Sequence, residues 1–216
     1  MKKIIIAAFL VLTSGTALMA QSEVKAKAIL ADVSKKYRAY DVIKTDFSYT
    51  LENPEAKIKE TQTGTLFVRS KMNKYKIILK GQELISDGKN QWTYLKADKE
   101  VQLSEVDNSS DALNPAKLFT IYEKGFKSLY INDTKWNGKL VHNIDLSPID
   151  TKRSFFKVKL QIDKLSKQIV NAIIFDKNGN RYTYTIKTFT PNIKVPESTF
   201  AFDAKLYPGV EVVDLR

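Results

Sequence analysis

Apolar residues recur along this chain with two periods, and the change from one to the other divides it. In residues 22–40, Ala26, Leu30, Val33, Tyr37 and Tyr40 stand three or four apart, the spacing that gathers side chains on one face of a helix. Ser22 occupies the position where a helix N-cap is wanted. From about residue 42 the period falls to two, the signature of a strand with one buried face. Phe47, Tyr49 and Leu51 alternate with polar neighbours, as do Tyr75, Ile77 and Leu79, and then Trp92 and Tyr94. Phe156, Val158, Leu160 and Ile162 interleave with Lys157, Lys159, Gln161 and Asp163, the plainest half-buried strand in the chain. Residues 169–175 and 182–186 form a similar pair.

Three dipeptides, Asp87-Gly88, Asn137-Gly138 and Asn178-Gly179, sit between such runs. They favour type I′ hairpins, whose two central residues both need positive φ. Consecutive hairpins build an up-and-down antiparallel sheet. With ten or eleven strands such a sheet curls into a barrel or a partly closed one. One segment breaks the pattern. In residues 113–127, Asn114 is a helix N-cap, Pro115 fits the first helical position and Gly125 lies near the end. Leu118, Phe119, Ile121 and Tyr122 give this predicted helix an apolar face, suited to a plug or a lid. There is no internal repeat, low-complexity tract or second domain.

The N-terminus changes the picture. Lys2 and Lys3 precede an unbroken apolar run over residues 4–12, then small residues lead to Ala20. That is the layout of a secretory signal peptide, and its apolar run is shorter than the ~20 residues a membrane span needs. No cysteine is present, so a lipoprotein signal is excluded. Cleavage after Ala20 leaves residues 21–216 as one soluble, exported domain of a length usual for β-barrels and sandwiches. The net charge of +11 suits anionic partners in principle. The lysines alternate along strands, however, which is how a solvated sheet face reads, so nucleic acid is not expected.

Candidate chemistry is sparse. His142 is the only histidine and stands in the alternating run Leu140-Val141-His142-Asn143-Ile144. A general base needs an orienting carboxylate and a nucleophile, and neither a nucleophile elbow nor a cysteine is there. Asp176-Lys177-Asn178-Gly179-Asn180 lacks the ligand spacing and terminal glutamate of a calcium loop, and a hairpin turn explains it better. No phosphate-binding glycine loop occurs. The expectation is a non-enzyme with no catalytic residue, metal or cofactor. What stands out is apolar surface on both sides of single strands: Ile77-Ile78-Leu79, Phe155-Phe156 and Ile173-Ile174-Phe175. A sheet of this kind needs a cover on each side. Two-layer core and ligand cavity both satisfy that need.

Gly64-Thr65-Leu66-Phe67-Val68-Arg69, then Leu84-Ile85-Ser86-Asp87-Gly88-Lys89-Asn90-Gln91-Trp92-Thr93-Tyr94, and finally Phe200-Ala201-Phe202 with Pro208-Gly209-Val210-Glu211-Val212 together resemble the outer-membrane lipoprotein carrier (LolA) family. The resemblance implies an incomplete antiparallel β-barrel closed by helices around a hydrophobic cavity, with residues 113–127 where the family places lid helices. It implies a monomeric periplasmic carrier of acylated lipoproteins. Its partners would be an inner-membrane ABC transporter (LolCDE-like) and an outer-membrane acceptor (LolB-like). Arg69-Ser70-Lys71 stands where many members have Arg-Pro, whose arginine helps hold the lid. Here Arg69 takes that role or the lid is held another way. A related carrier of another acylated lipid or glycolipid, or a lipid-sensing module, fits the same apolar wall.

Exposing each methylene to water costs about 0.8 kcal/mol, so one long acyl chain costs on the order of 10 kcal/mol and three roughly 30. Unaided crossing of an aqueous compartment is therefore negligible, and apolar contact under a movable cover meets the need. The residues expected to line the cavity are Phe47, Tyr49, Leu66, Val68, Tyr75, Ile77, Trp92, Tyr94, Leu118, Phe119, Ile173 and Phe175, with strand parity the deciding variable.

Overall fold

The structure, a computed structural model, describes the backbone of residues 2–107 and 119–216, and side chains from residue 19 onward. A helix, α1 (Lys2–Ala39), precedes β1 (Ile43–Asn53), β2 (Ile58–Arg69), β3 (Lys74–Leu79), β4 (Gln82–Ser86), β5 (Asn90–Leu95) and β6 (Glu100–Glu105). After residue 119 come β7 (Phe126–Trp136), β8 (Lys139–Pro148), β9 (Phe155–Asp163), β10 (Ile169–Asp176) and β11 (Arg181–Ile186). The two-residue β12 (Thr190–Pro191) and the short β13 (Glu211–Asp214) follow. Among the described residues the strands form one sheet in the order β13-β6-β5-β4-β3-β2-β1-β11-β10-β9-β8-β7, with β12 pairing β1. The two ends of this order do not pair, so the sheet is an open, mainly antiparallel barrel. Thirteen strands stand among the described residues where ten or eleven are expected, the short β12 and β13 included. The sequence reading also expects only antiparallel pairs, whereas β13 runs parallel to β6, with Val212 opposite Val101.

The helix obeys its predicted face and exceeds its predicted length. Ala26, Ile29, Leu30, Val33 and Tyr37 are buried, three or four apart. Lys36 and Arg38 in the last turn complement the negative end of the helix dipole. Ser22 is not an N-cap: the helix runs through it, since no proline interrupts residues 2–39, and its hydroxyl donates instead to the carbonyl of Tyr130. Among the described residues no helix is long and apolar enough to cross a membrane.

The turns also sharpen the expectation. Asn137 and Gly138 both have positive φ, 45° and 76°, as a type I′ hairpin demands. At Asp87-Gly88 and Asn178-Gly179 only the glycine does, and the aspartates build the turns differently. Asp87 Oδ1 accepts the backbone N–H of Lys89 and of Asn90 at 2.9 and 2.7 Å. Asp176 Oδ1 does the same for Asn178 and Asn180, each at 2.8 Å. That closed turn is what stands at the faintly calcium-like sequence.

Of the helix predicted over 113–127, residues 113–118, with Asn114, Pro115 and Leu118, lie outside the described residues. The remainder is not an α-helix. Residues 121–123 form one 3₁₀ turn and Phe126 already opens β7. The backbone of Gly125 accepts from Ile149 N–H at 2.9 Å, and the Phe126 ring stacks 6.1 Å from Phe155. Sheet pairing outcompetes helix propensity there.

Gly64 is fixed by crowding. It lies opposite Phe47 on β1 and Leu79 on β3. A Cβ at this position would stand 2.7 Å from the carbonyl oxygen of Ile78 and 2.6 Å from Leu79 Cδ2, with the Phe47 ring at 3.1 Å. The Phe47 side chain thus packs across the glycine. Gly64→Ala is expected to cost about 1–3 kcal/mol, the usual range for overpacking, read as a lower urea midpoint at unchanged slope. An unchanged midpoint would show that the strands separate freely here.

Candidate functional site

The inner face of the sheet follows from its register. Phe47 sits beside Ile186, Tyr49 beside Tyr184, Leu66 beside Ile77, Tyr184 beside Ala172 and Ala172 beside Leu160. Side chains opposite each other in an antiparallel pair share a face, so this set points inward together. Between these strands and the chain at 119–121 lies a cavity of about 120 Å³. Its walls are Thr45 and Phe47 of β1, Leu66 of β2 and Ile77 of β3 on one side. Val158 and Leu160 of β9, Ile169, Ala172 and Ile174 of β10, and Tyr184 and Ile186 of β11 form the other, with Phe119 and Ile121 as cover. The one wall hydroxyl outside the tyrosine, on Thr45, donates to the carbonyl of Thr188 at 2.7 Å, which leaves the wall apolar. Burial, with Tyr49 and Tyr182 nearby, pushes the Tyr184 phenol well above its ordinary value, so it stays neutral.

The cover is clamped to α1. Phe119 stacks on Tyr37 with ring centres 4.8 Å apart and meets Phe189 edge-on at 6.0 Å. Arg38 pairs with Glu123, and Ser34 donates to the Tyr122 hydroxyl at 3.4 Å. Arg69 acts elsewhere. It pairs with Glu197 and with Asp41, and its guanidinium lies 5.5 Å from the Phe200 ring, tying the entry of β1 to the C-terminal segment.

Of the residues expected to line the cavity, Phe47, Leu66, Ile77 and Phe119 lie on its wall. Tyr49, Val68 and Tyr75 face the same core beside it, and the Tyr75 hydroxyl bonds the Gln91 side chain. Leu118 lies outside the described residues. Four placements need correction. Trp92 and Tyr94 pair with Ile85 and Glu83 and face outward, because Gln91 and Thr93 take the inward parity of β5. Trp92 stacks on Phe202 at 6.2 Å and Tyr94 meets Tyr207 at 4.9 Å, under the C-terminal segment. Ile173 and Phe175 also face outward. Phe175 contacts Phe156 and lies under Lys157, while the neighbouring Ala172 and Ile174 line the cavity. Thr45, Ile121, Val158, Leu160, Ile169, Ala172, Ile174, Tyr184 and Ile186 were absent from the sequence-based set. For Val158, Leu160, Tyr184 and Ile186 the period-two runs already held the signal.

A family model described as outer membrane lipoprotein carrier protein LolA matches residues 38–203. The chain belongs to the LolA family. A curated relative, the outer-membrane lipoprotein carrier protein of Psychromonas ingrahamii, is 24% identical over 225 residues and spans all of both chains. The fold is shared with an uncharacterised conserved protein of Thermus thermophilus (12% identity, TM-score 0.56, 88% of this chain and 99% of that one). LprF of Mycobacterium bovis also shares it (12% identity, TM-score 0.50, 81% and 97%). LolA family members are carriers, not enzymes.

His142 accords with a structural role. It is 6% exposed, and its Nδ1 lies 2.6 Å from Asp133 Oδ1, while Lys164 Nζ lies 2.6 Å from Asp133 Oδ2. Among the described residues no acidic or histidine cluster could hold a metal ion. Burial opposes ionisation of Asp133, but hydrogen bonds from Lys164, His142 and Tyr130 outweigh it and hold the carboxyl well below its ordinary 3.8. A carboxyl depressed in the folded state contributes stability that is present above the unfolded value and lost as pH falls through the folded one. Asp133→Asn should therefore lower stability at neutral pH, and the gap from wild type should narrow once pH drops below about 4. Urea titrations across that range check it; a gap that stays constant to low pH contradicts the assignment.

Proposed function

We propose that this LolA-family chain is a soluble periplasmic carrier that takes lipoprotein acyl chains into the cavity and moves them from the inner to the outer membrane. The observation that carries this reading is an apolar wall, contributed by six strands, beneath a cover that among the described residues meets α1 through a few separable contacts. Size adds a condition. A closed apolar cavity of ~150 Å³ accommodates benzene, whereas pockets for drug-sized ligands run to about 300–1,000 Å³. At about 120 Å³ the closed form takes only part of an acyl chain, so loading requires the segment bearing Phe119 and Ile121 to move off α1. The Arg38–Glu123 pair and the Phe119–Tyr37 stack are the contacts that break.

In the same reading residues 1–20 are removed on export, and residues 21–216 act as one domain. The chain would receive cargo from a LolCDE-like transporter and deliver it to a LolB-like acceptor. Native mass spectrometry of the protein isolated from its own periplasm is the direct test. A co-purifying species with the mass of an acylated lipoprotein is expected; a glycolipid mass would reassign the cargo, and a ligand-free protein under gentle isolation would count against a carrier.

The cavity wall has its own test. Ile77→Glu places a carboxylate on the wall and should weaken binding of a fluorescent fatty acid at least tenfold, since burying an unpaired charge costs several kcal/mol. Ile173→Glu, one residue from the wall but on the outer face, should leave binding within twofold or so of wild type. Equal effects of the two substitutions would remove the cavity from the argument.

A further inference from the structure

Leu165 is 94% exposed, the most exposed of the large apolar side chains among the described residues. A single exposed leucine is ordinary, but this one is held out by design of the turn around it. Asp163 Oδ1 accepts the backbone N–H of Leu165 at 2.8 Å and of Ser166 at 3.0 Å. Lys167, with φ of 55°, donates its backbone N–H to the Asp163 carbonyl at 2.8 Å. Lys36 of α1 reaches over to the Ser166 carbonyl at 2.5 Å. The tip is therefore ordered before it meets anything, which lowers the entropic cost of contact.

The neighbouring hairpin joins it. The backbone N–H of Lys164 donates to the Leu140 carbonyl at 3.0 Å, and Leu140 is 47% exposed. Two leucines thus stand at adjoining tips, β7–β8 and β9–β10. Around them lie Lys36, Lys135, Lys139, Lys164 and Lys167. The carboxylates nearby are engaged or fewer: Asp133 pairs with Lys164, and Asp163 serves the turn and faces Lys139 at 3.5 Å. Asp32 stands one helical turn before Lys36 on α1. The balance of this end is positive.

We propose that these two hairpin tips form a docking surface for an anionic phospholipid bilayer, with Leu165 entering the interface and the lysines meeting the headgroups. Apolar tips ringed by lysine match an interface that is apolar beneath and anionic above. Ile169, four residues beyond Leu165, is on the cavity wall, so docking brings this end of the cavity to the membrane. The surface is defined by exposure and charge and holds whatever the cavity carries.

The chain has no cysteine, so Leu165→Cys accepts a single environment-sensitive fluorophore. With full-length protein and phosphatidylglycerol-containing vesicles, the probe at 165 should brighten several-fold, shift to the blue and be quenched by lipid-borne quenchers. The same probe at Thr61→Cys, on exposed β2, should not. This local readout separates tip insertion from recruitment by the N-terminal apolar run. Lys135→Gln with Lys167→Gln should lower the anionic-vesicle partition of the 165 probe on the order of twenty-five-fold, at roughly fivefold per lysine. A probe at 165 that stays in water with anionic vesicles overturns the proposal, including the case where the tip binds an acidic protein instead. Insertion that is equal with purely phosphatidylcholine vesicles overturns its charge component. Binding of fluorescent fatty acid should be unchanged by the lysine substitutions, so failure here and failure of the carrier reading are told apart.

Discussion

Twelve strands side by side, spaced about 4.8 Å, present an inner face roughly 50 Å across, and a single helix is only about 10–12 Å wide. This mismatch governs the rest of the molecule. α1 lies against the β7 end of the sheet, where its stripe from Ala26 to Tyr37 joins Ile144, Leu146 and Leu160 in the core. The stripe reaches the edge of the cavity at Tyr37, which meets Phe119 and the Ile169 N–H, and the face from β3 through β1 to β11 lies beyond it. Curvature brings the uncovered part together, and the side chains from 119 to 121 close over it. The cavity is thus the part of a curved apolar face that the helix meets only at its edge.

The outer face solves a different problem. Residues 197–207 cross the back of β3 to β5, burying Phe200 and stacking Phe202 between Trp92 and Tyr207. Tyr207 donates to Glu83 at 3.2 Å, and Lys76 and Lys96 flank the same carboxylate. Beside it, Arg69 joins Asp41 to Glu197. The segments that carry the family resemblance, around Asp87-Gly88 to Tyr94 and Phe200 to Val212, therefore pack mainly on each other. They build the scaffold behind the cavity. Their aromatic residues belong to a strap, and the cavity wall is drawn mostly from Ile, Leu, Val and Ala positions beside Phe47 and Tyr184.

That division suits a carrier. The strap is an extensive aromatic and ionic assembly on one side of the sheet, while among the described residues the cover on the other side meets α1 through a ring stack, an ion pair and a hydroxyl contact. Motion is cheapest where the fewest buried contacts must break. The sheet can stay constant while the cover opens, and apolar contact without covalent chemistry allows release as well as capture.

Much of this was legible in the chain itself. Period-two alternation marked β1, β3, β5 and β8 to β11 because burial on one face is a local property of each strand, and the helical face of residues 26–37 was equally plain. Asn137-Gly138 announced its turn. Parity was another matter. In Ile173-Ile174-Phe175 and around Trp92 both faces are apolar, so alternation carries no sign, and only the pairing of β10 with β9 and β11, or of β5 with β4, says which side is inward. Cavity residues such as Ala172 and Ile174 were missed because their burial depends on that register, and Trp92 and Tyr94 were misplaced because the C-terminal strap claims them. Sequence determined that this protein would have two apolar faces to cover; the tertiary structure decided which face received a strap and which kept a cavity, because that choice rests on contacts between residues more than a hundred positions apart.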